Sequence, residues 1–382
     1  IGITEQLIKD HPDVVKYASD LAISYHNNAR MLVAIKSNNK ALTNYNKAIL
    51  IEAQLLKEHP DVPVHASGLT SSYNALGNVY RSLGKTDRAI EFYNKSILIS
   101  EQLVKDRPEV AKYASDLAGF YYNLATELRS FGEVDKAIQL YSKAIVIKKQ
   151  LVSEHPDIPA YANSLAKFYI GAGGNEQKRR RYRQAVPYYK LSLELLQSLK
   201  NNDRLPQWLS GWDKTITQRL AFCEMAERAI EDLPFVLALP PRQVSQFLLI
   251  RGQVFLDRSD HAAVVESAEK LAQLTSPDGE AATRGLNLYN AACLLSLASD
   301  AAANDEALAE ADRTALVDKC AVRAVALLIE DRSLGYFKDS AKVAHMKKDT
   351  DLDPLRERDD FKQFVTDLEA SAIDPDEPAT DE

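Results

Sequence analysis

The densest concentration of residues able to bind a charged ligand lies near the middle of the chain. Five of six consecutive residues there are cationic: Lys178, Arg179, Arg180, Arg181 and Arg183. A cluster of this kind attracts phosphate groups or acidic peptides. The same charges are also typical of a solvated turn whose cations only repel one another. Both interpretations stay open, and the segment is a candidate partner-binding site.

A four-residue string has the residue types of a nucleotide site. Val33-Ala34-Ile35-Lys36 matches the strand motif whose lysine pairs with ATP phosphates in protein kinases. That motif needs a Gly-rich loop upstream and His-Arg-Asp and Asp-Phe-Gly motifs downstream, and this sequence has none of them. We therefore predict no catalytic residue and no cofactor for this chain.

Neither the histidines nor the cysteines are spaced as metal ligands. His11, His59, His65 and His155 lie at or near positions that recur every 48 residues, where polar contacts at helix starts are expected. The three cysteines lie 70 and 27 residues apart, which is neither a metal-ligand spacing nor an even disulfide set. We predict no metal site, and reduced cysteines in a cytoplasmic protein.

Composition and charge argue against several other classes of protein. Hydrophobic residues make up 46% and charged residues 26% of the chain, as in globular proteins. Residues 1–200 carry 27 basic against 20 acidic side chains, whereas residues 201–382 carry 20 against 34. Because the first half is only mildly basic, we expect no nucleic-acid binding. The apolar runs are too short to cross a bilayer, so we expect no membrane segment.

The elements that must position these residues are revealed by a 48-residue repeat. The triplet His11-Pro12-Asp13 recurs three times at this spacing, as His59-Pro60-Asp61, Arg107-Pro108-Glu109 and His155-Pro156-Asp157. Columns of leucine, tyrosine and alanine keep the same phase, and one of them holds Tyr45, Tyr93, Tyr141 and Tyr189. Units of this kind cannot bury their apolar faces alone, so neighbouring copies must stack.

Each unit has the pattern of two helices. In the second copy Leu69, Tyr73, Leu76 and Tyr80 follow at spacings of three and four residues, which is one stripe of a helix. Gly84 then ends that helix, and a second stripe begins a few residues later. Helices of about 20 residues would be ~30 Å long. The pattern predicts an all-α fold, a right-handed superhelical solenoid of antiparallel helix pairs.

These residues resemble the tetratricopeptide (TPR) signature. In the second copy its positions are Tyr73, Leu76, Gly77, Tyr80, Gly84, Ala89, Tyr93 and Ser96. The unit is longer than the usual one of about 34 residues, as in kinesin-light-chain-like repeats. The first copy departs from the signature at Asn28 and Lys36. In the fourth we expect Gly174-Asn175-Glu176 to break the helix and the basic segment to form a loop in place of the tight turn.

Four such repeats occupy residues 1–200, and the phase is lost beyond them. Residues 201–240 are predicted to form a helical junction, with Trp208 and Trp212 either in its core or forming a ligand platform. Residues 241–372 keep a looser, divergent TPR-like helical pattern, in which an Ala/Asp-rich insertion near 299–312 splits the last helix pair. Residues 373–382 are acidic, contain proline and are expected to be disordered.

A second resemblance concerns the C-terminal region. Asn290-Ala291-Ala292-Cys293, then the segment 349–356 and Asp360-Phe361, resemble the end of planctomycete-type bacterial serine/threonine kinases, in which a kinase domain precedes long TPR units. The chain has no initiator Met and Ile1 aligns with the middle of a second helix, so we expect it to begin inside a repeat. The resemblance implies the non-catalytic TPR region of such a kinase, with any kinase activity in the parent chain. A free-standing TPR adaptor is the alternative.

The first helices of the pairs would line a concave face if the solenoid is curved. Polar residues on these helices outside the buried stripe are Arg30, Asn74, Asn78, Arg81, Tyr122 and Arg129. Asparagine and arginine side chains can hydrogen-bond a peptide backbone or a carboxylate. We therefore predict an interaction scaffold whose partner is a protein or peptide in this groove. The other interpretation is ordinary solvated surface.

Overall fold

The computed structural model describes residues 1–11, 14–274 and 281–370, and over these residues it contains helices and turns but no strand. The chain divides into two compact units, Ile1–Cys223 and Glu224–Glu382. Helices of the first unit are α1 (Gly2–Asp10), α2 (Val15–Ala34), α3 (Asn38–Glu58), α4 (Pro63–Ser82), α5 (Thr86–Asp106), α6 (Ala111–Phe131), α7 (Val134–Glu154), α8 (Pro159–Lys178) and α9 (Tyr182–Asn201). Helix α10 (Trp212–Glu231) contains the boundary between the units.

Helices α2 to α9 form four consecutive pairs, and each pair packs on the next one. The second and fourth pairs begin with a proline in the first turn, Pro63 and Pro159, where the missing N–H leaves no helical hydrogen bond unmade. The predicted all-α fold of packed helix pairs is confirmed. Pro12 and Asp13, which begin the first repeated triplet, lie outside the described residues.

The repeated tyrosine column forms the centre of each pair. Tyr93, Tyr141 and Tyr189 of the second helices are completely buried. Small residues on the first helices make room for these rings. A methyl group built on Gly77 would lie 2.7 Å from Cε1 of Tyr93, and one built on Gly173 would lie 3.0 Å from Cε1 of Tyr189. The rings therefore pack directly against the backbone of the first helix, which is why the two helices approach so closely.

The turn within each pair has the same backbone conformation in all four copies. Its central residue has a positive φ, and these residues are Lys36, Gly84, Gly132 and Arg180. Glycine takes this conformation freely. A lysine or arginine there costs about 1–2 kcal/mol, which the packing of the pair offsets. The tight turn is therefore kept even where the repeated glycine is replaced.

The expectation of a broken helix and an open basic loop in the fourth copy is wrong. Helix α8 continues through Gly174, Asn175 and Glu176, and all three residues are buried. Glycines in a helix cost about 1 kcal/mol each. Here they are accommodated because tyrosine rings fill the space; a methyl on Gly171 would lie 2.8 Å from ring atoms of both Tyr122 and Tyr141.

The prediction of a junction core is wrong for Trp208. Its side chain is 56% exposed, whereas the neighbouring Leu209 is buried. Residues Gln207–Leu209 form a short 3-10 turn, so adjacent side chains in it point to different sides. The Trp208 ring stands edge-on to the Trp212 ring at 6.3 Å.

The second unit is also helical where it is described. Its helices are α11 (Leu233–Leu237), α12 (Pro241–Asp257), α13 (His261–Gln273), α14 (Ala281–Ala303), α15 (Glu310–Ser333), α16 (Ser340–Met346) and α17 (Asp359–Ala370). Helix α12 packs on α13 and α14 on α15. The Ala/Asp-rich stretch is mostly helical, because α14 runs to Ala303 and α15 resumes at Glu310. The acidic tail predicted at residues 373–382 lies outside the described residues.

Candidate peptide-binding groove

Successive first helices of the first unit contact one another and so present a shared face. Asn123 on α6 donates from Nδ2 to Oδ1 of Asn74 on α4 at 2.9 Å. His26 on α2 lies 3.0 Å through Nδ1 from the Ser72 hydroxyl on α4. Contacts continue from α6 to α8. We call this surface of α2, α4, α6 and α8 the first-helix face.

A groove of about 530 Å³ lies on the first-helix face, and it brings together four of the predicted binding residues: Arg30, Asn74, Asn78 and Arg81. Further lining residues are His26, Val33, Tyr45, Ser71, Ala75, Val79, Ser82, Asp116 and Phe120. We call this site the α4 groove. Its floor is largely apolar, and its polar groups come from three successive first helices.

The charge of the α4 groove is set by Arg30 and Arg81. Both side chains are exposed, and neither has an ion-pair partner among the described residues. Asp116 at the groove is already paired, since Lys112 Nζ lies 2.7 Å from its carboxylate. Burial first, and then the charge of Arg81, lowers the pKa of the nearby Lys167 ammonium. The groove therefore offers two cationic donors to an incoming ligand.

The two asparagines are tied into the fold more firmly than their sequence positions predict. The buried Tyr93 hydroxyl donates to Oδ1 of Asn78 at 2.8 Å, and Asn74 Oδ1 accepts from Asn123. Asn78 is half-buried and also satisfies a core hydroxyl, a role that its position outside the buried stripe did not predict. Each asparagine still has an amide N–H₂ that can donate to a ligand.

Tyr122 and Arg129 do not line the α4 groove. The Tyr122 ring stacks on Phe168 at 4.6 Å and meets Tyr141 edge-on at 5.6 Å. Burial raises the pKa of Tyr122 to about 12. Tyr122 is thus a packing residue between α6 and α8, although Lys167 Nζ lies 4.8 Å above its ring. Arg129 lies farther along α6, beside Gly174.

The basic segment forms the turn between α8 and α9 and is partly anchored. Arg179 Nη2 lies 2.6 Å from a carboxylate oxygen of Asp135. Lys178 Nζ donates to the backbone carbonyl of Arg129 at 2.6 Å. Arg180 occupies the left-handed position of the turn. These contacts use some of the charge that the sequence left available for a ligand.

Sequence reasoning missed a polar network beneath the α4 groove. The Glu52 side chain on α3 is 5% exposed, and its Oε2 has no hydrogen-bond partner among the described residues. Burial raises the pKa of Glu52 to about 7, against a smaller opposing effect of its hydrogen bond with Ser72. Ser72 in turn contacts His26. The sequence did contain a signal of this network, because Glu52 is a charged residue at a position of the repeat that is buried.

The remaining chemical candidates occupy structural positions. Helix α2 ends at Ala34, and Lys36 follows in the turn, so the Val33–Lys36 string is not a strand. His11, His59 and His155 cap the ends of second helices and do not begin the next ones. No group of three or more His, Cys, Asp or Glu side chains suited to a metal occurs in the described ranges. Within those ranges no helix is both long and apolar enough to span a membrane.

Comparison with known protein families agrees with the repeat pattern in the middle of the first unit. The family model described as Tetratricopeptide repeat matches residues 70–103 and 118–150. These spans cover most of α4 with α5 and most of α6 with α7. The chain therefore carries TPR units there, which confirms the resemblance for the second and third copies. No curated protein sequence matches the chain.

Several solved structures resemble parts of the chain. BtubC (BKLC) from P. vanneervenii is 15% identical, with 77% of this chain and 91% of that one covered and a TM-score of 0.35. A kinesin-light-chain-type protein from Podosopora anserina with nearly identical TPR-like repeats is 20% identical, with coverage of 60% and 95% and a TM-score of 0.38. MamA protein is 18% identical, with coverage of 48% and 95% and a TM-score of 0.27. These scores are too low to support any inference about function.

Proposed function

We propose that the chain is a protein–protein interaction module whose α4 groove binds an extended acidic segment of a partner protein. TPR units generally bind proteins or peptides and do not catalyse reactions. The proposal rests mainly on the pair Arg30 and Arg81, which lie exposed at the edge of a groove with an apolar floor and pair with no carboxylate in the part of the chain that the structure describes. Charged hydrogen bonds to carboxylates give both affinity and orientation.

The α4 groove can bind the backbone of a partner peptide as well as its side chains. Asn74 and Asn78 keep amide donors on neighbouring turns of α4, and an extended peptide leaves its carbonyl groups unpaired. Because both asparagines already accept a hydrogen bond, from Tyr93 and from Asn123, little side-chain freedom is lost on binding. The apolar floor formed by Val33, Ala75 and Phe120 would take a hydrophobic side chain of the partner. Nucleic acid is not the proposed partner, because the cations of this face are few.

The finer assignment is the non-catalytic TPR region of a cytoplasmic bacterial serine/threonine kinase. It is supported by the sequence pattern at Asn290–Cys293 and at 349–361. The Cys293 thiol lies with its Sγ 3.8 Å from a carboxylate oxygen of Asp349, so the two segments that carry this pattern are in contact. Reading the gene upstream of residue 1 tests the assignment. A kinase domain there supports it, and any other coding context favours the free-standing adaptor.

The groove is tested with peptides selected on the immobilised wild-type chain. Replacing Arg30 and Arg81 together by Gln removes both cations and leaves the tyrosine–asparagine bond intact. We expect the selected peptides to be acidic and to bind this variant at least about tenfold more weakly, or ~1.4 kcal/mol. The loss should shrink as salt is raised, because exposed charges are screened.

The matched control removes the same charge from the outer face of α5. Arg88 and Lys95 both pair with Glu91 there, so Arg88→Gln with Lys95→Gln alters net charge equally but leaves the groove unchanged. This control should bind the selected peptides as the wild type does. Equal loss in both variants would mean that net charge alone drives capture. Unchanged binding by the groove variant, with loss on neutralising Lys178 to Arg183, would move the site to the basic turn.

A further inference from the structure

Two arginines and a tyrosine converge on one point of the first-helix face, beside Gly174. A methyl group built on Gly174 would lie 2.7 Å from Nη1 of Arg129 and 3.6 Å from Nη1 of Arg219. The Tyr189 hydroxyl lies 3.7 Å from the same point. The three residues come from α6, α10 and α9. Because the glycine has no side chain, two guanidinium groups come close to the α8 backbone and to each other.

The arginines reach this point because the fourth repeat differs from the others at one column. The residues equivalent to Gly174 are Arg30, Asn78 and Thr126. Asn78 accepts from Tyr93, and Thr126 lies 3.1 Å from the Tyr141 hydroxyl, so in these copies a side chain fills the place. In the fourth copy Tyr189 instead donates to Gln177 Oε1 at 2.8 Å and accepts a hydrogen bond from Arg219.

The two guanidinium groups lack the carboxylate that such a pair normally has. Within the described ranges neither Arg129 nor Arg219 forms an ion pair. Two like charges this close repel each other, and an anion between them would reverse the sign of the interaction. Tyr189 positions both Arg219 and the Gln177 amide, whose N–H₂ remains available as a donor. The arrangement is that of an anion site with preset donors.

We propose that Arg129 and Arg219 bind the phosphoryl group of a phosphorylated side chain on a partner protein. A phosphate monoester carries close to two negative charges and three acceptor oxygens at neutral pH. It therefore matches two guanidinium charges and several donors better than a single carboxylate does. The identity of the partner as a protein rests on the proposed function, whereas the binding of the phosphoryl group does not depend on the α4 groove.

The test is calorimetric titration of the full chain with blocked phosphoserine (N-acetyl-O-phosphoserine N-methylamide) at constant ionic strength. Inorganic phosphate and succinate serve as the other two probes. Arg219→Gln removes one cation, and Gly174→Ala places a methyl 2.7 Å from the present position of Arg129 Nη1 while keeping both charges. The alanine methyl displaces only the flexible end of Arg129, so this variant should fold. Each variant should bind blocked phosphoserine at least about tenfold more weakly than the wild type.

Matched controls separate this site from net charge and from the α4 groove. Arg88→Gln removes an equivalent cation on α5 and should leave phosphoserine binding unchanged. The double variant Arg30→Gln with Arg81→Gln should also bind the probe as the wild type does, even if it has lost its peptide ligands. Loss of probe binding in that double variant would place the phosphoryl group in the α4 groove and overturn the inference.

Three other outcomes would overturn the inference as well. One is equal affinity of the wild type, Arg219→Gln and Gly174→Ala for blocked phosphoserine. A second is succinate binding as tightly as phosphoserine, which would make this a general carboxylate site. The third is binding of inorganic phosphate without phosphoserine, which would exclude a side chain as the source. Circular dichroism of each variant confirms that lost binding does not reflect unfolding.

Discussion

At the scale of single residues, the buried tyrosine hydroxyls connect the core to the binding face. The second, third and fourth repeats place such a hydroxyl near the first-helix face, and each of these copies satisfies it differently: with Asn78, with Thr126 or with Gln177. A buried hydroxyl without a partner costs about 1–3 kcal/mol, so a polar side chain beside it stabilises each of these three copies. The hydrogen-bonding requirement of the buried hydroxyls thus determines which polar side chains a ligand meets on the first-helix face.

The buried carboxyl of Glu52 should make stability depend on pH. Its folded pKa of about 7 lies above the ordinary 4.5, so the folded state holds the proton more tightly than the unfolded state. The stabilisation from protonation is complete below about pH 4.5 and is lost as pH rises through 7. The shift corresponds to a loss of about 3 kcal/mol. Glu52→Gln should therefore be more stable than the wild type at pH 8 and nearly equal to it at pH 5.

The measurement is urea denaturation of both proteins at the two pH values. Comparing variant with wild type at each pH cancels the contribution of His26, whose pKa is lowered by burial and then by Arg30. Glu154→Gln is the control, since Glu154 is exposed and accepts from Gln150 at 2.8 Å. A Glu52→Gln variant less stable than the wild type at pH 8 would show that the ionised carboxylate has a favourable partner.

At the scale of elements, the close approach of paired helices depends on which glycines face a tyrosine ring. Gly77 and Gly173 lie against Tyr93 and Tyr189, and the equivalent positions in the other copies are alanines. Helix propensity alone would favour alanine at all of them. The glycines persist in α4 and α8 because the ring occupies the volume of a methyl group.

Two glycine-to-alanine substitutions should therefore have opposite effects. Gly77→Ala introduces a methyl 2.7 Å from the Tyr93 ring and should destabilise the protein by about 1–3 kcal/mol. Gly119→Ala, in the interior of α6, meets no atom within 4 Å and should stabilise it by about 0.5–1 kcal/mol. Denaturant midpoints of the two variants measure this. Stabilisation by Gly77→Ala would show that the α4–α5 pair can separate without cost.

At the scale of the whole molecule, the first unit is a linear array in which each helix pair contacts its neighbours. In such an array stability is close to a sum of units and of the interfaces between them. The 48-residue period is then a repeat of helix packing as well as of sequence. Removing one complete period should restore equivalent contacts, because α4 would meet α7 in the register in which it now meets α5.

Deletion of residues 85–132 is the test of this property. It joins Gly84 to Glu133, which is equivalent to Lys85, and brings Gly77 against Tyr141. We expect the shortened chain to remain helical and to unfold cooperatively. Deletion of residues 85–124 removes less of the chain but breaks the phase of the 48-residue repeat. The resulting protein should no longer unfold cooperatively. Circular dichroism melts compare the two. Equal melts would mean that the repeats are not interchangeable units.

The sequence by itself determined the helix pairs, their phase and the turns at Gly84 and Gly132, but not the turn of the fourth copy. These features follow from local rules, since a stripe at spacings of three and four residues marks a helix face whatever lies opposite. The glycines at positions 84 and 132 likewise predict a left-handed residue in the turn from their residue type alone. The same rules predicted four residues that do meet in one groove, because copies with the same period place equivalent side chains on one face.

The tertiary structure alone decided which side chains touch. Helix α8 stays intact because tyrosine rings from other helices fill the space over its glycines, and Asn78 serves the core because Tyr93 reaches it. Arg129 and Arg219 are 90 residues apart in the sequence yet approach one point. Such contacts depend on distances between helices and on volumes left empty. Periodicity is a property of one helix at a time and carries no information about either quantity.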